Sequence, residues 1–402
     1  MNESIETIRL EAWKVLENCI TPDGLLASPL SKDNYRRIWS RDSMMAGITG
    51  IICRNERICN AHQNSILTLL RHQASDGQIP SNVAPGSNPV VSFGSLAGRV
   101  DATTWWIVGT CFAILNEENK IEYRTLFREG IEKALSVLDS WEMNHRGLIY
   151  TPPGGNWADE YLIQGYTLYD NCLRIWALRL AGQIYENPEW MEKAARISTL
   201  LKQNFYAGSQ DPTQLYHPIA YKAASQNPTP WFWMCLNPQG YDTRWDMAGN
   251  ALALLLNLHP EPEKLEEFVL QLSNDTAGNM APAFHPVVNP GDADWLLLEK
   301  NHSYDFKNKP HHFHNGGAWP IMMGWLGLGF RQNNLPTIPA SFHESVSKAL
   351  QNENPPLSFH EYWSGDEGKP GGVSPLGFTA AGFLLLHESI HPSPNLANWF
   401  PS

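Results

Sequence analysis

Apolar residues at three- and four-residue spacing recur along most of the chain, and no other feature of the sequence constrains the fold as strongly. This spacing places the apolar side chains on one face of a helix. The alternation of apolar and polar residues that indicates strands is nearly absent. The periodicity predicts helices at residues 4–19, 43–72, 103–118, 122–142, 167–183, 188–205, 246–258, 262–273, 316–330, 341–351 and 376–389.

The segments between these helices are rich in Gly, Pro, Asn and Asp, as in residues 75–89 and 364–375. Those residue types favour turns over helix. Paired helices joined by alternating short and long loops predict two concentric helix layers, an α/α barrel. No Pro- or Ser-rich linker and no sequence repeat divides the chain. We therefore expect a single domain over residues 1–402.

Charge and composition exclude several classes of partner. The formal net charge is −12, and clustered Lys and Arg are absent, so we expect no nucleic-acid binding. No segment reaches about 18 uncharged apolar residues, so we expect no membrane span. Glu3, Glu6 and Glu11 interrupt the region where a secretion signal needs an apolar stretch. The six cysteines lack CxxC spacing and are predicted to be reduced core residues. These features favour a cytoplasmic protein.

The chain is unusually rich in aromatic residues, with 16 Trp, 13 Tyr and 15 Phe. Aromatic faces stack against the C–H faces of sugars, but large helical cores also bury many aromatic side chains. Composition alone leaves both explanations open. Six loop segments each combine a charged residue with Trp, and loops at one rim of a rigid scaffold are the usual place for chemistry. They are residues 34–42, 98–106, 156–160, 244–246, 314–320 and 360–363.

Two of these segments supply carboxyl groups suited to acid–base chemistry. Cleavage of a glycosidic bond needs one carboxyl group to protonate the leaving oxygen and a second to activate water or attack the anomeric carbon. A carboxyl group packed against tryptophan keeps its proton more readily, as an acid near neutral pH must. Asp159, two residues after Trp157, suits that role, although it could merely cap a following helix. Glu361 could equally be a surface carboxylate.

Other motifs carry weaker signals. Arg41 and Asp42 could present a guanidinium fork and an acceptor to vicinal sugar hydroxyls, or form only a cap and a local salt bridge. The spacing of His311, His312 and His314 matches no zinc pattern, so we expect no metal site. No phosphate loop and no nucleophile elbow is present. We therefore expect chemistry without a cofactor.

Taken in order, these segments resemble the alkaline/neutral invertase family of glycoside hydrolases. The family lies within a wider group of α/α six-barrel glucosidases that includes glucoamylases and glycogen-debranching glucosidases. The resemblance covers nearly the whole chain and implies an all-α (α/α)6 barrel with long catalytic loops at one rim. It is carried by NYRRIWSRDSMMAG, DGQIPSNV, GRVDATTWWI, RWDMAGNALALLL, KNKPHHFHNGGAWPIMMGWL, and HEYWSGDEGKPGG followed by SPLGFTAAGFLL.

The resemblance also implies roles for individual residues. Glu361, in HEYWSG, matches the position of the family's general base. Asp159, in NWADE, matches the acid of the debranching relatives better than that of the invertases, and neighbouring Glu160 is its rival. Arg41 and Asp42 match the pair that holds the glucosyl unit. The same pocket is expected to include Tyr35, Trp39, Asp101, Trp105, Trp157, His314, Asn315 and Trp319.

Two departures from the family pattern concern the leaving-group side. Ser43 replaces the family's Phe after Arg-Asp, and residues 167–169 replace its Pro-Ile-Glu. The residues that meet the leaving group are therefore expected to differ from those of the invertases.

The sequence thus predicts an inverting hydrolase that cleaves a non-reducing glucosyl bond of an α-glucoside. Sucrose, a short α-glucan and a glucosylated small solute all remain candidates, so the expected partner is a small carbohydrate. A sugar 2-epimerase or isomerase on the same barrel is one alternative, with His312, His314 and His360 as possible acid and base. A non-catalytic carbohydrate-binding protein is another. The sequence does not predict the oligomeric state.

Overall fold

The computed structural model describes residues 3–117, 119–208, 211–393 and 396–400. Most of these residues are helical. The helices are α1 (Glu3–Asn18), α2 (Ser40–Ile52), α3 (Glu56–Arg71), α4 (Val100–Asn116), α5 (Lys120–Ser140), α6 (Leu168–Tyr185), α7 (Pro188–Phe205), α8 (Pro218–Ala224), α9 (Met247–Leu255), α10 (Pro262–Asn274), α11 (Trp295–Lys300), α12 (Pro320–Gln332), α13 (Thr337–Gln351), α14 (Gly377–Ile390) and α15 (Leu396–Trp399).

Six of these helices form a closed inner ring. α2 packs against α4, α4 against α6, α6 against α9, α9 against α12, α12 against α14, and α14 against α2. The ring helices are buried along nearly their whole length. An outer layer consists of α1, α3, α5, α7, α10 and α13, each of which buries only one apolar face. This arrangement is the predicted (α/α)6 barrel.

Small residues allow the ring helices to approach each other closely. The contact between α12 and α14 is an example, because Gly382 lies directly against the backbone of Pro320 at the start of α12. A Cβ atom at position 382 would collide with that backbone. Close packing of this kind leaves little void in the centre of the barrel.

Short antiparallel strands stiffen the loops between the helices. They pair as β1–β2, β3–β4–β5, β6–β7–β8–β9, β10–β11 and β12–β13, and three of them lead directly into ring helices α2, α6 and α9. The strands are β1 (Ile20–Thr21), β2 (Gly24–Leu25), β3 (Ile38–Trp39), β4 (Asn82–Ala84), β5 (Val90–Ser92), β6 (Tyr150–Thr151), β7 (Gly165–Thr167), β8 (Cys235–Asn237), β9 (Gly240–Asp242), β10 (Trp245–Asp246), β11 (Phe284–His285), β12 (Tyr362–Trp363) and β13 (Pro370–Gly371).

The single helix predicted at residues 43–72 is wrong, because the structure divides it into α2 and α3. Arg54 adopts a left-handed backbone conformation with φ 60°, which ends the first helix. The Asn55 side chain then accepts a hydrogen bond from the Ile58 amide at 3.1 Å and starts the second. Apolar periodicity continues across this turn, so it does not reveal the break.

The cysteines agree with the prediction that they are reduced. All six cysteines are unpaired thiols, and four of them are buried. Within the part of the chain that the structure describes, no helix combines the length and apolar character needed to cross a membrane.

Candidate active site

A cavity of about 650 Å³ opens where several ring helices begin. Arg41 and Asp42 line it from the first turn of α2, and Arg99 lines it from the residue before α4. Two aromatic residues complete this side of the wall. Trp319 is the residue before α12, and Phe378 lies in the first turn of α14. Loops with the charged segments found in the sequence form the rest of the cavity.

Glu361 is a buried carboxyl group in the cavity wall, only 5% exposed, directly before β12. The Tyr35 hydroxyl donates to its Oε1 at 2.8 Å, and the Val373 amide donates to its Oε2 at 3.2 Å. Burial raises the pKa of Glu361 to about 7, against the lowering effect of both hydrogen bonds. The alternative that Glu361 is a surface carboxylate is therefore wrong.

Asp159 reaches the same cavity from the loop between β6 and β7. Arg99 donates to its Oδ2 at 2.7 Å. The Val100 amide donates to the Gly155 carbonyl at 2.7 Å and fixes this loop to the start of α4. The helix-cap interpretation of Asp159 is wrong, because the next helix begins only at Leu168.

Glu160 also lines the cavity and remains a rival acid. Its Oε1 accepts from the Ser303 amide at 3.5 Å, and its buried Oε2 has no partner among the described residues. Burial raises the pKa of Glu160, whereas the charge of Lys307 lowers it. The geometry therefore keeps both neighbouring carboxyl groups as candidates for the acid.

Arg41 is held between two carboxylates at the bottom of the cavity. Its Nη1 donates to Asp101 Oδ2 at 3.0 Å, and its Nη2 lies 3.8 Å from Asp42 Oδ2. Burial raises the pKa of Asp42 to about 6, although Arg41 opposes that shift. The Arg41 guanidinium also lies 5.9 Å from the centre of the Phe378 ring. Asp42 faces the cavity, whereas fully buried Asp101 lies behind the wall.

Aromatic rings form a second part of the wall. His314 stacks on Trp319 with ring centres 5.1 Å apart, and Trp157 meets His314 edge to face at 5.0 Å. Burial holds the pKa of His314 well below its usual value, and nearby cations act in the same direction. Burial thus favours the neutral form of this histidine. The Trp39 indole is oriented by a hydrogen bond to the Asn34 carbonyl at 3.0 Å.

The structure brings most of the predicted site residues to one cavity. They are Tyr35, Trp39, Arg41, Asp42, Trp157, Asp159, His314, Trp319 and Glu361. Three predicted binding residues do not reach the cavity wall. They are Asp101, Trp105 and Asn315.

These three side chains support the site from behind. The Trp105 indole donates to the Tyr169 hydroxyl at 2.7 Å and packs among the tryptophans at the centre of the ring. Asn315 exchanges hydrogen bonds with the backbone of Val288, at 2.8 and 2.9 Å. Asp101 pairs with Arg41. The aromatic richness of the sequence therefore serves both the cavity and the core.

Further residues of the wall, among them Arg99, Lys307 and Phe378, lie in the segments noted in the sequence but were not predicted individually as site residues. Arg99 had a usable signal, since it directly precedes an apolar helix as Trp39 and Trp319 do. Lys307 had none. Its Nζ lies 5.1 Å from the centre of the Phe313 ring.

The histidines do not form an acid–base pair in this cavity. Among His312, His314 and His360, only His314 lines the wall. His360 instead pairs through Nδ1 with Glu353 Oε1 at 3.0 Å. Within the described ranges, no group of three or more His, Cys, Asp or Glu side chains is arranged to hold a metal ion.

A closed ring of six helices with a carboxylate-lined cavity at its rim is the architecture of the α/α-barrel glycoside hydrolases. A solved GH63 mannosylglycerate hydrolase from Thermus thermophilus has a similar fold, with a TM-score of 0.67, 14% identity, and coverage of 94% of this chain and all of that one. A bacterial glucoamylase solved with acarbose is also similar, with a TM-score of 0.63, 15% identity, and coverage of 96% of this chain and 55% of that one.

Sequence comparison points to one group within this class. A family model described as alkaline and neutral invertase matches residues 226–392. The chain is 22% identical to the chloroplastic neutral/alkaline invertase 3 of Oryza sativa subsp. japonica, over 85% of this chain and 66% of that protein. It is 21% identical to the probable alkaline/neutral invertase F of Arabidopsis thaliana, over 84% of this chain and 76% of that protein. These matches confirm the resemblance of the chain to the alkaline and neutral invertases.

Proposed function

We propose that this protein is an inverting glycoside hydrolase that cleaves a non-reducing glucosyl bond of an α-glucoside. One observation carries the proposal. Glu361, a buried carboxyl group oriented by Tyr35, shares a cavity with the adjacent carboxyl groups of Asp159 and Glu160. Glycosidic hydrolysis needs two carboxyl groups in one cavity that are suited to opposite proton transfers.

In the proposed reaction, Asp159 donates a proton to the glycosidic oxygen as the bond to the anomeric carbon breaks. Glu361 takes a proton from a water molecule, whose oxygen attacks that carbon from the other face. The products are glucose and the protonated leaving group, so atoms and charge balance. Inversion requires room for this water, which corresponds to roughly 6.5–9.5 Å between the two carboxyl groups.

The remaining wall suits recognition of one sugar unit. Arg41 and Asp42 can serve neighbouring hydroxyls, because a guanidinium donates in a fixed plane and a carboxylate accepts. Trp157 and Trp319 offer aromatic surface to the sugar ring. The reaction as proposed requires no metal and no cofactor.

Three substrate types fit a cavity of about 650 Å³, which is within the usual range for small ligands. Sucrose is suggested by the invertase relatives, and a short α-glucan by the glucoamylase. A glucosylated small solute is suggested by the mannosylglycerate hydrolase, which was solved with D-glycerate. The NWADE segment, which resembles the debranching enzymes more than the invertases, argues against sucrose as the first choice.

The proposal is tested by replacing each carboxyl group in turn with its amide. Glu361→Gln removes the base, and Asp159→Asn removes the acid, so each should lower kcat on the best α-glucoside by on the order of 10²–10⁴-fold. Glu160→Gln tests whether Glu160 is the acid instead of Asp159. A large loss of kcat in Glu160→Gln, with little loss in Asp159→Asn, would show that Glu160 is the acid. Exposed Lys309→Gln, outside the cavity, is the control.

Full activity of Glu361→Gln would remove that residue from the mechanism. Interconversion of free glucose and mannose, without cleavage of any glycoside, would instead establish the epimerase alternative.

A further inference from the structure

We propose that Glu353, which does not line the cavity, is a positioning residue for the general base Glu361. Its buried carboxylate holds the backbone of the two residues directly before the base. The inference rests on the proposed function, because it adds a supporting group to the same reaction. It starts from three hydrogen bonds that converge on one side chain.

The Glu353 carboxylate accepts from two consecutive backbone amides. The Phe359 amide donates to Oε2 at 2.9 Å, and the His360 amide donates to Oε1 at 3.1 Å. The His360 ring adds a third contact, from Nδ1 to Oε1 at 3.0 Å. The geometry assigns the proton to Nδ1, because a carboxylate oxygen only accepts. Both oxygens of a fully buried side chain are thus committed to the segment that carries the base.

The segment before Glu361 depends on this side chain because it is not part of a regular element. α13 ends at Gln351, and β12 begins only at Tyr362. Buried backbone amides need an acceptor, which a carbonyl oxygen supplies within a helix or a sheet. Here the acceptor is a side chain just beyond the end of α13. The carboxylate of Glu353 therefore does the work of a missing strand partner.

The backbone of this segment has an unfavourable conformation that needs support. Phe359 is left-handed with φ 55°, and Leu357 with φ 59°. Residues with a bulky side chain rarely adopt this region, because the Cβ atom crowds the backbone. Such conformations persist only where the surrounding contacts impose them. The bond from the Phe359 amide to Glu353 is one such contact, so its loss would let the backbone relax next to the base.

The opposite edge of the same segment is fixed by the start of α14. The Leu376 amide donates to the Phe359 carbonyl at 3.0 Å, and the Thr379 hydroxyl donates to the His360 carbonyl at 2.6 Å. The amides of the segment are thus held from the end of outer helix α13, and its carbonyls from ring helix α14. The base is fixed between the two layers of the barrel.

A shift of this segment would change the environment of the base directly. The Glu361 carboxyl group is oriented by the Tyr35 hydroxyl at 2.8 Å and the Val373 amide at 3.2 Å. Hydrogen bonds weaken steeply as their distance and angle depart from the optimum. Displacement of residues 359 and 360 would disturb both bonds together. Glu353 can therefore act on the reaction without touching the substrate.

The test uses α-D-glucosyl fluoride as the substrate. Fluoride leaves the anomeric carbon without a proton from the acid, so the rate reports the base and not Asp159. A measurable rate should also remain in Glu361→Gln, because the leaving group needs no assistance. The products are glucose and hydrogen fluoride, and the water proton passes to Glu361 in the wild type.

Glu353→Gln removes one acceptor oxygen at nearly constant size. Its amide nitrogen cannot accept from a backbone amide. The kcat on the fluoride should fall on the order of 10- to 100-fold, since small misplacement of catalytic groups has costs of this size. KM should stay near the wild-type value, because Arg41 and Asp42, which are proposed to hold the sugar, lie on α2. Exposed Glu344→Gln on α13 is the matched control and should keep the wild-type kcat.

A double-mutant cycle separates positioning of the base from a merely structural role. Glu353→Gln is introduced into the wild type and into Glu361→Gln, and kcat is measured in all four proteins. Residues that act as a unit are not additive, so Glu353→Gln should have little further effect once the base is gone. Damage to the barrel would lower kcat by the same factor in both backgrounds. That result, or a wild-type kcat in Glu353→Gln, would overturn the inference.

Thermal unfolding shows whether Glu353→Gln is folded. If it is not, the cycle is run with Glu353→Asp, which keeps both oxygens but withdraws them by one methylene group from the amides of residues 359 and 360. This variant should lower kcat when Glu361 is present and leave kcat unchanged when it is absent. An equal loss in the two backgrounds would again overturn the inference.

The inference and the proposed function fail in different ways. Loss of hydrolysis in Glu361→Gln, together with a wild-type kcat in Glu353→Gln, leaves the proposed function standing and removes the role of Glu353. Full activity of Glu361→Gln removes Glu361 as the base, and the positioning role of Glu353 is lost with it.

Discussion

Tyr35 and Glu361 show how a hydrogen bond adjusts a buried base. Burial raises the pKa of Glu361 to about 7, and the Tyr35 hydroxyl at 2.8 Å lowers it by stabilising the carboxylate. The ionised form needed to activate water is therefore substantially present only near and above neutral pH. The acidic limb of the rate profile should report this group.

Tyr35→Phe should move that acidic limb to higher pH, because the carboxylate of Glu361 loses a donor. The pKa of Glu361 rises further, so kcat/KM at pH 6 should fall on the order of tenfold, whereas the loss at pH 8.5 should be smaller. The measurement is a full pH profile of kcat/KM. Tyr150→Phe, at a half-buried tyrosine outside the cavity, is the control. An equal loss at every pH would show that Tyr35 does not act through the proton of Glu361.

The backbone next to Glu361 is also constrained by the base. Gly372 has φ +79°, and a Cβ atom there would collide with the Glu361 carboxyl group. Gly372→Ala should therefore displace the base and lower kcat/KM by on the order of 10²-fold, since small misplacement of catalytic groups has costs of this size. Gly291→Ala is the matched control, because Gly291 has φ +99° and open space around its missing Cβ. Normal activity of Gly372→Ala would contradict the placement of Glu361.

At the scale of elements, the starts of the ring helices organise the site. Asp42, Asp101 and Asp170 lie in the first turns of α2, α4 and α6, and Asp246 caps α9. The partial positive charge of the helix N-termini favours the charged form of these side chains, whereas burial opposes it and raises the pKa of all four. Asp170 also accepts from Asn156 at 3.1 Å and so anchors the loop that carries Asp159.

Buried carboxyl groups of this kind should make the barrel less stable as pH rises. Burial raises the pKa of Asp246 to about 7, compared with about 3.9 in an unfolded chain. Between these values the folded state holds a proton that the unfolded state has released, so stability falls as pH rises from about 4 to about 7. The contribution is fully present below the unfolded pKa and is lost above the folded one.

Asp246→Asn should remove this part of the pH dependence while keeping an oxygen that can accept from the Gly249 amide. The Tm of the variant minus the Tm of wild type is the quantity to compare. This difference should be roughly 1–3 °C more positive at pH 8 than at pH 5. The comparison uses thermal unfolding at both pH values. Exposed Glu263→Gln in α10 should not change the slope. A constant difference between Asp246→Asn and wild type at both pH values would contradict the assignment.

At the scale of the whole molecule, the helical character and the barrel could be predicted because apolar periodicity and loop composition are local signals, whereas the eleven predicted helices fall short of the fifteen in the described part of the chain. The division of residues 43–72 into α2 and α3 could not, since the apolar pattern runs through the turn at Arg54. The sequence also did not reveal that Trp105 lies in the barrel core and not in the cavity wall. Ring helices are buried on all sides, so periodicity does not distinguish a cavity wall from the barrel centre. The pairing of Arg99 with Asp159 joins residues 60 positions apart and has no local signature.

We propose that residues 1–402 form one domain, since apolar side chains from all six ring helices belong to a single buried cluster. Removing any ring helix would expose its two neighbours. Unfolding in urea should therefore show one transition, with tryptophan fluorescence and far-UV circular dichroism changing together. Two separated transitions would show that the chain contains more than one unit.

Hydrolysis with inversion by Asp159 and Glu361 has a stereochemical signature, because the anomer of the released glucose records the face that water attacks. Its most direct test is proton NMR of the first glucose released from an α-glucoside, recorded before mutarotation mixes the anomers. The wild type should release β-glucose first, because water activated by Glu361 attacks the face opposite the leaving group. Release of α-glucose first would show retention and contradict the role of Glu361 as a base, since retention requires a carboxylate nucleophile.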